Sequence, residues 1–342
     1  MNINQPFKLI TPVLLIIFNR PDTTQKVFNE IRKAKPTKLF VTADGPRSHI
    51  TEDKEKCQLA RDIIKQVDWD CELHTNFSDT NLGCQKGPYS GINWFFSHVE
   101  EGIILEDDCV PGESFFGFCE IMLEKYRNDQ RIMMISGSNF TNCNNKNKES
   151  YFFSNYYNIW GWATWKRAWK LYDVTMKDWK QLKNDKQIYW LFSNLKIAFY
   201  YECMFDLIYD GFDAWDIQWW FACIFNNSLA IVPSNNLISN IGIEGTHSVT
   251  QSDVCIGKQT YRIDITNIVH PKYVTPDIKM NQLTYKHSHA SIEMENIYRF
   301  NISYCRRIYN IFYQILIIKT RVYKIKLYQK LVKKLKMFIK SG

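Results

Sequence analysis

Short apolar runs alternating with helical segments constrain this chain more than any other feature. Residues 13–18 (VLLIIF) form an unbroken apolar run, the pattern of a strand buried on both faces. Asn19-Arg20-Pro21-Asp22 and a helical segment to Arg32 follow. Residues 38–43 (KLFVTA) repeat the pattern and end at Asp44-Gly45-Pro46. Thr51 is then placed to cap a charged helix reaching about Val67, with Glu52 and Asp53 in the first turn, where the helix dipole favours acids. Residues 71–77 read as a third strand, 89–99 as a helix and 102–105 as a fourth strand; 115–126 is expected to be helical and 132–136 a further strand. Alternation at this spacing implies parallel strands with crossover helices. The predicted fold class is α/β: a Rossmann-like, mostly parallel sheet flanked by helices, with an aromatic-rich C-terminal half and a basic helical tail.

Such sheets bind ligands beyond the carboxyl ends of their strands, and Arg20, Asp44 and the acidic triplet Glu106-Asp107-Asp108 all fall at strand ends. No G-x-G-x-x-G follows the first strand and no G-x-x-x-x-G-K-[ST] occurs, which disfavours a dinucleotide-binding enzyme and a P-loop nucleotidase. No G-x-S-x-G elbow supports a serine hydrolase. The ten cysteines never approach C-x-x-C spacing, which argues against a zinc ribbon and for reduced thiols.

The triplet is where chemistry enters. Ile103-Ile104-Leu105 leads from apparent burial into three consecutive carboxylates, which repel one another unless a cation sits among them. Oxygen-only ligands suit Mn²⁺ or Mg²⁺, and such ions take further ligands from water and substrate phosphates. A plain solvated turn is the competing reading of an acidic run; the buried strand before it favours the site.

With these motifs placed, the order of FNRPDTT, VTADGP, NLGC, IILEDDCVP, WGWATW, AWD and NLISNIGIEGTHS over roughly residues 10–250 resembles GT-A glycosyltransferases related to N-acetylglucosaminyltransferase I. The resemblance implies a metal-dependent inverting transfer of a sugar, N-acetylglucosamine or a relative, from a UDP-sugar to a glycan or lipid-linked acceptor, as in surface polysaccharide synthesis. It implies that Asp44 accepts from the uracil imide, that Arg20 reaches the base or phosphates, and that Asp107 contacts the ribose. Asp108 matches the direct Mn²⁺ ligand and Glu106 a contact to donor-sugar hydroxyls. Trp215-Asp216 matches a pair whose Asp is the catalytic base, and Gly245, Thr246 and His247 lie in a loop that closes over the donor. Inverting transfer needs one carboxylate to take the acceptor proton while a metal steadies the departing diphosphate. Asp213, which a continuous helix would put on the same face as Asp216, is the rival base. A sugar-phosphate nucleotidyltransferase is the enzymatic alternative, although FNRPDTT lacks the glycine-rich basic loop expected of one.

Three segments are expected: a catalytic domain over 8–255, an irregular connection over 256–290 and a basic amphipathic tail over 291–342. The net charge is +8, yet residues 296–342 hold twelve Lys or Arg and no acid, leaving the rest of the chain at −4. That is no uniform nucleic-acid-binding surface. Ile311, Ile315, Ile318, Val322, Ile325, Tyr328, Val332, Leu335 and Ile339 share one face of a helical tail, which either lies on an anionic membrane or packs on its own domain. A non-enzymatic membrane-surface scaffold is therefore the other alternative. No apolar stretch is long enough to cross a bilayer, and no apolar signal core follows the N-terminus, so a cytoplasmic protein, peripheral on the membrane, is expected. Trp, Tyr and Phe crowd the chain after residue 150, either as core or as platforms for sugar rings.

Overall fold

The computed structural model describes residues 8–141, 149–192, 194–242 and 259–287. Gly245, Thr246, His247 and the basic tail 291–342 lie outside the described residues. Two units are distinguished: one holds the described residues to Tyr172 together with Ala222–His287, the other holds Asp173–Phe221.

The first unit is built on an eight-stranded sheet. In chain order its early elements are β1 (Val13–Ile17), α1 (Pro21–Ala34), β2 (Lys38–Ala43), α2 (Asp53–Asp62), β3 (Glu72–Phe77), α3 (Gly83–His98) and β4 (Glu101–Glu106). Then follow β5 (Cys109–Pro111), α4 (Phe115–Tyr126), β6 (Ile132–Ser136), β7 (Tyr151–Ser154), β8 (Trp162–Trp165) and α5 (Lys166–Trp169). The strand order is β3-β2-β1-β4-β8-β6-β9-β7, where β9 is Leu229–Pro233. β8 and β7 run against the other strands, so the sheet is mostly parallel as the alternation predicts.

Burial follows the apolar runs. Every residue of β1, β6 and β9 is buried, whereas β3, at the sheet edge, is half open to solvent. α1 buries Thr24, Val27, Phe28 and Ile31, at the spacing of a single helix face. Its entry uses Pro21 in the first turn, where a missing amide hydrogen costs nothing. Its exit uses Lys35 in the left-handed conformation, with the amide returned to the Ile31 carbonyl.

Chain order decides where a ligand can sit. The chain steps outward from β1 through β2 to β3, then returns to the other side of β1 as β4. Connections therefore leave β1 and β4 in opposite directions, which opens a crevice beyond their carboxyl ends. Register places those ends level: Ile17 pairs with Ala43, and Ile16 with Glu106.

Several local expectations shift. Thr51 does not cap α2; Glu52 holds the cap position without a side-chain bond, and the helix passes into a 3-10 turn at Ile63–Gln66. α3 begins at Gly83, ahead of the expected start at 89, and carries Pro88 inside it, where proline removes one backbone donor. The segment expected to be irregular contains α10 (Ile278–His287), after Phe153 bridges Pro276 beside β7. Asn281 Oδ1 accepts from the Ser154 hydroxyl at 2.7 Å.

The second unit contains α6 (Trp179–Asn184), α7 (Ile188–Leu191), α8 (Leu195–Tyr209) and the start of α9 (Asp216–Phe225). Its aromatic residues are chiefly core: Trp179 meets Phe205 edge-on at 5.2 Å, and Phe205 meets Phe221 at 5.3 Å. Buried Asp206 accepts from Trp179 Nε1 at 3.0 Å and from Lys183 Nζ at 2.9 Å. No helix among the described residues is long and apolar enough to cross a membrane.

Leu15, fully buried in β1, and Leu73, 40% exposed in β3, offer a direct comparison. Leu15→Ala is expected to cost about 2–5 kcal/mol and Leu73→Ala about 1 kcal/mol or less, measured as shifts in the urea midpoint.

Candidate functional site

The connection from β1 into α1 is only three residues long, and Arg20 closes it as the cap residue of α1. Its carbonyl accepts from the Thr24 amide at 3.0 Å and the Thr24 hydroxyl at 2.7 Å, so its backbone is fixed. The preceding Asn19 donates its amide to Asp53 Oδ1 at 2.7 Å, and Arg47 also donates to that carboxylate, through Nε at 2.5 Å and Nη2 at 2.9 Å. The hydrogen bond from Arg47 is the main influence holding the Asp53 carboxyl down at about 2, against the opposing effect of burial. This Asn19–Asp53–Arg47 link ties the loops after β1 and β2 together.

The Arg20 guanidinium reaches across the crevice to the end of β4. Nη1 donates to Asp108 Oδ2 at 3.0 Å and Nη2 donates to Asp107 Oδ1. Both carboxylates are buried, and Asp107 Oδ2 is a buried oxygen with no hydrogen-bond partner. Burial pushes the Asp107 carboxyl up to about 6; Arg20 opposes that rise and the neighbouring Asp108 adds to it. Burial also works against the Arg20 charge, but the two carboxylates outweigh it and raise the guanidinium above its ordinary value.

β5 and β10 (Ile238–Asn240) brace the acidic pair from below. They pair antiparallel, with Asn240 opposite Cys109, and the Ile241 amide donates to the Asp108 carbonyl at 2.9 Å. Gly242 follows directly. A Cβ there would lie 2.1 Å from Asp108 Oδ2 and 3.2 Å from Arg20 Nη1, so a side chain at this position would have to displace the Asp108 carboxylate.

Asp44 stands at the end of β2, as expected, but its oxygens are already engaged. Oδ1 accepts from the amides of Gly45 and Leu82, each at 2.8 Å; Oδ2 accepts from Asn81 Nδ2 at 2.8 Å and the Gly83 amide at 3.2 Å. It thus holds the start of α3, where the helix dipole also favours an anion. Gly45 is required because a Cβ would lie 2.5 Å from the Thr80 backbone. Arg61 completes this corner, donating to the Asp44 carbonyl at 3.1 Å and the Ser78 carbonyl at 2.6 Å.

Glu106 is the last residue of β4 and partly exposed. Trp215, Asp216 and Asp213 belong to the second unit. Trp215 is buried, Asp216 opens α9 and is partly exposed, and Asp213 precedes the helix, so the two acids do not share a helix face as expected. Sequence reasoning did not single out Asn19, Arg47, Asn81 or Gly242. Each acts through contacts between loops distant in the chain, and the Asn-Leu-Gly step before α3 was the one local signal.

Among the described residues no group of three or more His, Cys, Asp or Glu is placed to hold a metal ion. Asp107 and Asp108 offer two carboxylates, one with a buried oxygen lacking a partner. That set fits Mn²⁺ or Mg²⁺ held by one or two carboxylates, with water and substrate phosphates completing the shell. It does not form an all-protein cage.

No family model matches the chain and no curated protein matches it, so no sequence match links it to the N-acetylglucosaminyltransferase I family. It is similar to a solved structure titled "Structure of the inositol-1-phosphate CTP transferase from T. maritima", with 8% identity, 73% of this chain and 96% of that chain covered, and a TM-score of 0.36. A similarity at this level assigns no activity to this chain.

The raised Asp107 carboxyl has a measurable consequence. Between about pH 4 and about pH 6 the native chain keeps a proton there that the unfolded chain, with a carboxyl near 3.8, has released. The stability from this group is present at the acidic end and is lost as pH rises through about 6. Urea midpoints across that window should show this falling contribution in the native sequence and lack it in Asp107→Asn.

Proposed function

We propose that the chain is a transferase acting on a nucleotide-linked sugar, with the nucleotide's phosphates held beyond the carboxyl ends of β1 and β4. The observation that carries this reading is the Arg20–Asp107–Asp108 constellation at the switch point of a mostly parallel sheet, with a carboxylate oxygen left unpartnered. Two buried acids and a guanidinium suit a phosphate-bridging divalent ion and the phosphates themselves.

Within that class we read the reaction as inverting glycosyl transfer from a UDP-sugar, N-acetylglucosamine or a relative, to a glycan or lipid-linked acceptor. The support is the order of motifs around Arg20, Asp44, Glu106-Asp107-Asp108 and Trp215-Asp216. Asp108, with Asp107 beside it, would hold Mn²⁺ or Mg²⁺, which supplies charge neutralisation for the leaving diphosphate. Arg20 binds phosphate oxygens, Glu106 orients donor hydroxyls, and Asp216 takes the acceptor proton, with Asp213 as the rival base. Asp44 acts on the nucleotide by holding the entrance of α3 and sharing a carboxylate oxygen with the base.

Nucleotidyl transfer to a sugar phosphate is the second reading, and the similar solved structure is named for that kind of reaction. The three-residue, glycine-free connection from β1 to α1 favours the first, because it offers no row of backbone amides to a triphosphate. Release of UDP from a UDP-sugar identifies glycosyl transfer; release of pyrophosphate from a nucleoside triphosphate and a sugar 1-phosphate identifies nucleotidyl transfer. Absence of any nucleotide binding would favour a non-enzymatic membrane scaffold.

Two substitutions test the assigned roles. Asp108→Ala should abolish metal-dependent UDP binding in isothermal titration. Asp216→Ala should keep that binding and lower turnover by about a hundredfold or more; unchanged turnover moves the base to Asp213 or another group.

A further inference from the structure

We propose that Arg20 is a resident counter-ion, occupying in the nucleotide-free protein the place between Asp107 and Asp108 that a divalent cation takes once phosphates draw the guanidinium away. The cation and the nucleotide would then bind well only together. The proposal rests on the reading of this site as one for a nucleotide's phosphates.

Charge is the first argument. Two adjacent buried carboxylates without a counter-charge are strongly unfavourable, and Arg20 is the cation bonded to both. A guanidinium does not deprotonate at accessible pH, so only its displacement makes room for another cation.

Geometry is the second. Arg20 takes one oxygen from each carboxylate, Asp107 Oδ1 and Asp108 Oδ2, the same two groups that would hold the ion. Asp108 Oδ1 has only the weak thiol donor of Cys109, at 3.3 Å, and Asp107 Oδ2 has none, so ligand capacity remains. The Gly242 backbone closes one flank of Asp108 Oδ2. A divalent ion packed beside the guanidinium would meet a like charge at short range in a poorly solvated site.

Mobility is the third. The Arg20 backbone is held by Thr23 and Thr24, while its side chain keeps 30% of its surface exposed. The head group can leave the acidic pair without disturbing β1 or α1, and a phosphate is its natural new partner. Linkage then requires that the nucleotide tighten the cation and the cation tighten the nucleotide by the same factor.

The test uses the full chain and Mn²⁺ alone as probe, with affinity read by titration calorimetry and stability by thermal melting. Arg20→Gln should bind Mn²⁺ about tenfold or more tightly than the native chain, since the competing state is gone. Its melting temperature should drop without metal and recover with Mn²⁺, while the native chain shows little response until UDP is added. Arg20→Lys keeps a cation, is expected to fold without metal, and should fall between the two in Mn²⁺ affinity. It carries the comparison if Arg20→Gln does not fold. Equal Mn²⁺ affinity in the native and substituted chains, or an equal rise in their melting temperatures, overturns the counter-ion role. If the native chain still binds UDP with Mn²⁺ in that case, the nucleotide reading stands without it. Failure to bind any nucleotide overturns both.

Discussion

Two carboxylates closed off from water at the end of β4 stay together because one guanidinium from the end of β1 spans them. Much of the first unit serves that contact. β1 and β4 must be neighbours with level ends, so the chain has to return across β1 after β3 rather than extend the sheet outward. The Arg20 backbone must be immobile, which the Thr23 and Thr24 bonds to its carbonyl provide. Asp108 is flanked by the β5–β10 pair and by Gly242, where a side chain would have to displace its carboxylate. The arrangement is poor as a stability device, since buried ion pairs rarely repay their desolvation. It also leaves one buried oxygen of Asp107 without a hydrogen-bond partner.

Beside this ion pair lies a second carboxylate with the opposite character. Asp44 has donors on both oxygens and works as a clamp on the start of α3, whereas Asp107 has an oxygen with none. Both residues follow buried strands in the sequence. Their difference arises from what the neighbouring loops present: amides of Gly45, Asn81, Leu82 and Gly83 around both oxygens of Asp44, and the Arg20 guanidinium with the Phe18 amide at Asp107. Asp53 adds a third case, a buried acid fully engaged by Arg47 and Asn19 that links the loop carrying Asp44 to the loop carrying Arg20.

The alternation of β1 to β4 with α1 to α3 was legible because a strand buried on both faces must be an unbroken apolar run, and the residue after it must be where polarity returns. Hence Arg20, Asp44 and Glu106-Asp107-Asp108 could be placed at strand ends from sequence alone. The later strands were less legible. β7 and β8 are short aromatic segments, YFFS and WATW, whose residues serve equally well in a helix, and their pairing depends on partners far along the chain. Asp213 and Asp216 show the same limit, because spacing suggested a shared helix face and α9 starts only at Asp216.

What the sequence determined by itself is the class of sheet and the identity of the acids and cation at the carboxyl ends of its strands, since burial and polarity alternate locally along the chain. Tertiary structure alone decided which acids are saturated and which are left with ligand capacity. That property depends on donors brought from up to 88 residues away in the chain, as with the Arg20 guanidinium against Asp107 and Asp108 and the Asn81 amide against Asp44. Only a folded sheet with its strands in this order makes those donors neighbours.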